Sequence, residues 1–198
     1  MASVAGAQIS NLIVQNPGFN AFDLEADQGN EGATNVTIDG CTASGGALFF
    51  ANGGAGSGSH THDITVTHCT ADKQTAGDPV LVHDIGRNKA HPRGPINFVA
   101  DKIECGHIAS VACVELSGAS VTIENSVLDF PSGTMHEAVY HVARRSSVVF
   151  ANDAVHGFGR TGRLARNSAL RVTGGHWVSV SGAVGSEPVN GSSTQATG

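Results

Sequence analysis

Charge is scarce in this sequence: Asp, Glu, Lys and Arg together make 14% of 198 residues. Helical bundles draw on Glu, Lys, Arg and Leu, so that poverty argues against them. Proline is sparse at six residues, which excludes collagen-like and polyproline readings. Four cysteines do not suggest a disulfide scaffold. No apolar run approaches the roughly 18 residues a membrane span needs. The opening Met1–Gly6 has neither a basic n-region nor an apolar h-region. Export by that route is therefore not expected, unless a leader has been removed and the chain is extracellular. A net charge of −6 argues against nucleic acid as a partner. That charge is uneven: residues 1–135 hold 14 acids and 5 bases, and residues 136–198 hold 3 acids and 6 Arg, giving −9 and +3.

What the sequence does contain is Gly, at 26 residues, with a hydrophobic content of 40%. That balance suits many short strands joined by Gly-rich turns. One phrase recurs: Asn35-Val-Thr-Ile-Asp-Gly-Cys41, Asp63-Ile-Thr-Val-Thr-His-Cys69 and Ser120-Val-Thr-Ile-Glu-Asn-Ser126. Looser copies are Asn11–Asn16, Ser147–Asn152 and Trp177–Gly182. Aligned on the sixth residue, the copies place Asn16, Gly40, His68, Asn125, Asn152 and Gly182 together. Most of these are residue types that tolerate a left-handed backbone. Two and four residues earlier stand apolar pairs at strand period: Leu12 and Val14, Val36 and Ile38, Ile64 and Val66, Val121 and Ile123, Val148 and Phe150, Val178 and Val180. Each copy thus reads as a short strand with an inward pair, closed by a tight bend. The bend residues are spaced by 24, 28, 57, 27 and 30, and 57 spans one unmatched coil. That coil lies in Ile96–Cys105, where Lys102 interrupts the alternation and implies a local register change.

A second strand precedes each phrase: Phe22–Leu24, Leu48–Phe50, Val80–Val82, Val114–Leu116, Tyr140–Val142 and Leu170–Val172. With three strands per coil, stacked coil on coil, the reading is an all-β parallel β-helix, a solenoid of about seven short coils. It occupies residues 1–184, followed by a polar Gly/Ser/Thr-rich extension over 185–198 that reads as flexible. The repeated phrase with its Asn-favouring bend resembles the repeats of the pectin-lyase-like, right-handed, single-stranded parallel β-helix superfamily over roughly residues 10–184. The resemblance implies the fold. It leaves function open, because that superfamily includes polysaccharide lyases, hydrolases, epimerases and noncatalytic virion parts.

Lyases of that superfamily carry acids for Ca²⁺ and a basic residue on the outward face of one sheet. Here the outward positions of the strand before the phrase are Asp23, Phe49, Leu81, Glu115, His141 and Arg171. Glu115, His141 and Arg171 would line up as acid, titratable base and cation, a set able to act on a uronic acid sugar. The plainer reading is an exposed ion-pair ladder. Asp23, Glu25, Asp27 and Glu31 form an acidic cluster. Alternation puts Asp23, Glu25 and Asp27 on one side, as candidate Ca²⁺ ligands or as a solvated edge. His60 and His62 alternate as two metal ligands on one strand face would, within a His-rich middle that includes His68, His83 and His91. No cofactor is otherwise indicated. Cys41 and Cys69 fall at equivalent positions, with Cys105 near the next, and read as buried small apolar thiols. Arg144, Arg145, Arg160, Arg163 and Arg166 could dock an acidic partner. Asn35-Val-Thr and Asn190-Gly-Ser fit the glycosylation pattern.

Three functions compete. A noncatalytic structural or decoration module of a larger assembly, such as a virion surface, leads. The chain is short for a β-helix enzyme and lacks elaborated loops around a cleft. No amphipathic segment is visible to cover the strand edges at its end. A homotrimer docked on a larger assembly is the expected state. The alternatives are a polysaccharide lyase or hydrolase acting on acidic glycans, and a glycan-binding module.

Overall fold

Period-two alternation of apolar residues needs a dry interior on one side of every strand, and three short sheets enclosing a common core supply it. In the computed structural model, residues 4–24, 32–46, 48–52, 61–74, 79–83, 95–105, 112–131, 138–179 and 193–197 are described, the last by backbone. Strands recur three by three, so that each pairs with the strand three places on, and the pairings are parallel throughout. Sheet A runs through Ala33–Asp39, His62–Thr67, Ile96–Val99, Ser120–Glu124, Ser147–Ala151 and Ala169–Thr173. Sheet B starts at Ile13–Gln15 and ends at His176–Ser179; sheet C starts at Asn20–Asp23 and ends at Arg160–Leu164. This is a three-sided parallel β-helix of about seven coils. At about 4.8 Å per coil it stands roughly 30 Å tall.

The inward columns of sheet A are the expected ones. Val36, Ile64, Ile96, Val121 and Val148 stack in register, as do Ile38, Val66, Phe98, Ile123 and Phe150. All ten are buried. Between them Thr37, Thr65, Asn97 and Thr122 form an outward column. Coil four keeps the common register, contrary to the shift expected from Lys102. Ile96 and Phe98 pair straight across to Ile64 and Val66, and the bend is Ala100 at φ 56°. Alanine in the left-handed region hid that bend from a search for Asn and Gly. Ala100→Gly should therefore raise stability by about 1 kcal/mol, read from the urea midpoint, because it relieves the Cβ strain. A loss of stability in that variant would contradict the assigned backbone.

Three end-coil assignments change. Asn11–Asn16 does not supply a sheet A strand: Ile13–Gln15 pairs Thr42–Ser44 in sheet B, and the sheet A strand of that coil is Gln8–Ser10, closed by Asn11 at φ 54°. Leu12 is consequently exposed, not inward. At the other end, Leu170–Val172 belongs to sheet A, paired with Val148–Phe150, and its bend is Gly174. A Cβ at Gly174 (φ 66°) would run into Asn152 Oδ1 one coil away, so any other residue at this bend requires that side chain to shift as well as a left-handed backbone. Trp177–Ser179 then lies in sheet B, which turns Trp177 inward and leaves Val178 38% exposed where burial was expected. Val180 and Gly182 lie outside the described residues. Within the polar extension, Ser193–Thr197 pairs with Ala169–Thr173 and adds a strand to sheet A.

The corner after sheet A carries a ladder of buried polar side chains. Each accepts the backbone N–H of its counterpart one coil earlier. Cys41 N donates to Cys69 Sγ (3.3 Å), Cys69 N to Asp101 Oδ1 (2.7 Å), Asp101 N to Ser126 Oγ (3.1 Å) and Ser126 N to Asp153 Oδ1 (2.8 Å). The chain turns here, so these amides lack a sheet partner and would otherwise be buried unpaired. Burial pushes the Cys69 thiol up to about 12, which keeps it neutral and unreactive. The third rung is Asp101. Cys105 instead forms a disulfide with Cys113, tying the end of a sheet B strand to the start of the next sheet C strand.

Candidate functional site

Sheet C presents the outward row expected to carry chemistry, with two positions altered. The register aligns Asp23 with Ala51, Leu81, Glu115, His141 and Arg163. Phe49 is not in the row. Phe49 N and Phe50 N both donate to Pro79 O, and this irregularity turns Phe49 into the core, edge-on to Phe22 at 5.7 Å. Arg171 is not in the row either, because its strand is in sheet A, where it pairs with Val149. Arg163 takes its place beside His141.

Glu115 is the centre of this group. His83, two residues beyond Leu81 and so on the same face, brings Nε2 to 3.2 Å from Glu115 Oε1. His141 Nδ1 lies 3.8 Å from the same oxygen. The three side chains are 18–31% exposed, half sunk in the sheet surface. A carboxylate flanked by two imidazoles, with a guanidinium on the neighbouring strand, can hold an anion or pass a proton. His83 was visible in the sequence only as one of many histidines; strand parity with Leu81 was the signal that places it here. Arg163 was legible only once the last coil had been assigned correctly.

The other candidates do not converge. Asp23 stands exposed at the start of the row and accepts from Asn20 Nδ2 at 2.7 Å. Its sequence neighbours Glu25, Asp27 and Glu31, together with His60, His91 and Asn190, lie outside the described residues. His62 contacts Asp63 Oδ2 at 2.7 Å, and His68, in the left-handed bend as expected, contacts Asp39 Oδ1 at 3.1 Å. Among the described residues no cluster of three or more His, Cys, Asp or Glu could hold a metal ion. Asn35 lies beside Thr37, Asp63, Thr65, Pro95 and Asn97 in a shallow open groove of about 380 Å³ on sheet A. Arg144 and Arg145 form the corner before Ser147–Ala151, both with positive φ, and Arg160, Arg163 and Arg166 follow on and after the last sheet C strand. The basic residues thus crowd the late coils.

A second surface was not anticipated in this form. Among the described residues the exposed large hydrophobic side chains are Val4, Leu12, Ile13, Phe19 and Val178, and four of these five belong to the first coil. Ile13 is 68% and Phe19 66% exposed. At the far end the inward Leu164, Leu170 and Trp177 are buried, and of the exposed large apolar side chains only Val178 lies there among the described residues.

The class of protein that this geometry defines is a three-sided parallel β-helix, with a polar row on one sheet and an apolar open end. No family model, curated protein or solved structure matches the chain. Among the described residues no helix is long and apolar enough to cross a membrane.

Proposed function

We propose that this chain is a noncatalytic structural module of the pectin-lyase-like, right-handed β-helix type, which self-associates and decorates a larger assembly such as a virion surface. The observation that carries the reading is the open first coil. It holds four of the five large apolar side chains that are exposed among the described residues, at the end of the stack where sheets B and C begin. Exposed edges and apolar patches of that kind mark association surfaces. The Arg-rich late coils supply a second, charged contact by which the module would be oriented on an acidic partner. The disulfide suits a compartment outside the reducing cytosol. Sedimentation velocity at micromolar concentration tests the reading: a particle heavier than the 20.1 kDa monomer is expected. A strictly monomeric particle would remove it.

A glycan-active reading has one specific observation behind it, the Glu115 group. Incubation with pectate or alginate, with and without Ca²⁺, is expected to yield no ultraviolet-absorbing unsaturated product. If product appears and disappears in Arg163→Ala while persisting in Arg171→Ala, the sheet C row is an active site and the structural reading falls.

A further inference from the structure

The charged contact of the late coils can be specified further, as the docking half of the assembly reading on which it rests. We infer that two stacked turns, residues 143–146 and 165–168, form a docking site for a protein partner that presents a compact cluster of carboxylates, held by Arg144, Arg145 and Arg166.

The two turns join sheet C to sheet A in successive coils and are built alike. Ser146 N donates to Ala143 O at 3.2 Å, and Ser168 N donates to Ala165 O at 3.1 Å. The second turn is stacked on the first by Ala165 N to Val142 O at 2.8 Å and Ala169 N to Ser146 O at 2.9 Å. Ser146 Oγ accepts Gly118 N and Ala119 N from the coil before, at 2.6 and 3.2 Å, and donates to Ala143 O. The turns are therefore fixed to the body of the solenoid. The backbone of Arg144 stacks on that of Arg166, one coil apart at about 4.8 Å. Arg144, Arg145 and Arg166 are all exposed.

The stereochemistry of these turns does not call for arginine. The third residue of each is left-handed, at φ 62° and φ 63°. In the later coil it is Asn167, a type that tolerates that region; in the earlier coil it is Arg145. Arg144, at φ 53°, is left-handed as well, whereas at the corner one coil before the left-handed residue is Gly118. Strain kept at two adjacent exposed residues, where Asn or Gly would relieve it, points to a use for the side chains. The fold does not pair them: among the described residues no carboxylate forms an ion pair with Arg144, Arg145 or Arg166. Residues 136–198 hold six Arg and no Lys. Guanidinium forks grip carboxylates with two parallel hydrogen bonds, which an ammonium does not do.

The surroundings select the kind of anion. Carboxylates stand on the outward face of every sheet: Asp39 and Glu124 on sheet A, Glu104 and Asp129 on sheet B, Glu115 on sheet C. A long polyanion, such as a nucleic acid or a sulfated polysaccharide, would run from the turns onto these faces and meet like charge. Small anions are held in clefts, and these arginines stand on exposed turns at a corner. A compact carboxylate cluster on a protein meets the three guanidiniums without reaching those faces.

The test uses the full chain and a fluorescein-labelled octaglutamate peptide, followed by anisotropy at low ionic strength. The peptide should bind. Arg166→Glu should weaken it by about ten-fold or more. Lys102→Glu, the same change of charge at an exposed position on sheet B, should leave it unchanged. Arg145→Asn should raise the thermal midpoint, because Asn accepts the left-handed backbone, and should weaken the peptide by about several-fold. An arginine with a merely structural role would not lose binding in that variant. No binding of the peptide, or binding that ignores Arg145→Asn and Arg166→Glu, overturns the site. Tighter binding of heparin or of a duplex oligonucleotide, lost in the same variants, overturns the protein partner. Self-association is read separately by sedimentation velocity, so a monomer that still binds the peptide through these arginines would remove that reading and leave the docking site.

Discussion

Phe150→Ala should destabilise the protein by about 4 kcal/mol, measured by urea denaturation, which would make it the most damaging single truncation in the core. The ring has no exposed surface and sits where three coils meet. Ile123 and Val172 flank it along the inward column, Trp177 packs edge-on at 5.1 Å, and Tyr140 lies tilted at 6.2 Å. These neighbours belong to all three sheets; Ile123, Tyr140 and Val172 are held by backbone ladders on both sides and Trp177 by one, so the cavity cannot collapse by a local shift. Phe158 and Trp177 also pack on each other at 6.0 Å, so loosening Trp177 would open the late coils further. A cost below about 1 kcal/mol would mean that the late coils are not packed as described.

Stability should fall as pH rises from about 5 to 8, and the cause should be the two carboxylic acids of the corner ladder. Burial pushes both Asp101 and Asp153 up to about 7 from an ordinary 3.8. For Asp101, amide donors from Cys69 and Val99 and the nearby His68 pull the other way, and Asp39 adds to the rise. For Asp153, the amides of Ser126 and Ala151 pull down and Glu124 pushes up. A folded-state pKa above the unfolded one means that the native state binds more protons between the two values. The contribution is therefore complete below about pH 4 and is lost as pH climbs through 7. Thermal midpoints of the wild type should drop between pH 5 and pH 8. The Asp101→Asn, Asp153→Asn double variant should show a flatter profile, since Asn keeps an acceptor for the ladder amides but does not titrate. An identical slope in the double variant would overturn the assignment to Asp101 and Asp153. At fixed pH, Asp153→Ala should cost about 2–4 kcal/mol, because it orphans the amides of Ser126 and Ala151, which Asp153 accepts at 2.8 and 2.9 Å.

The middle of the molecule was legible from residues alone. In Val36–Gly40, Ile64–His68, Val121–Asn125 and Val148–Asn152, an apolar pair at period two followed by a bend residue suited to positive φ is enough to set strand, face and turn. That information is local, so a single sequence contains it. The parallel three-sided architecture follows, since phrases recurring in the twenties leave no other way to bury their inward faces.

The end coils and the site were decided by pairing. Asn11 and Asn16 both take positive φ, as do Gly40 and Gly45, because the chain bends after sheet B as well as after sheet A. Every sheet also has the same alternation. A short segment such as Ile13–Gln15 or Leu170–Val172 therefore fits either side equally well, and only hydrogen bonds to the neighbouring coil choose. That choice exposes Leu12, buries Trp177 and replaces Arg171 by Arg163 beside His141. The sequence determined which residues could face a core. The stacking of coils determined which of the remainder stand next to one another, because lateral neighbours in a solenoid are more than twenty residues apart and nothing local records them.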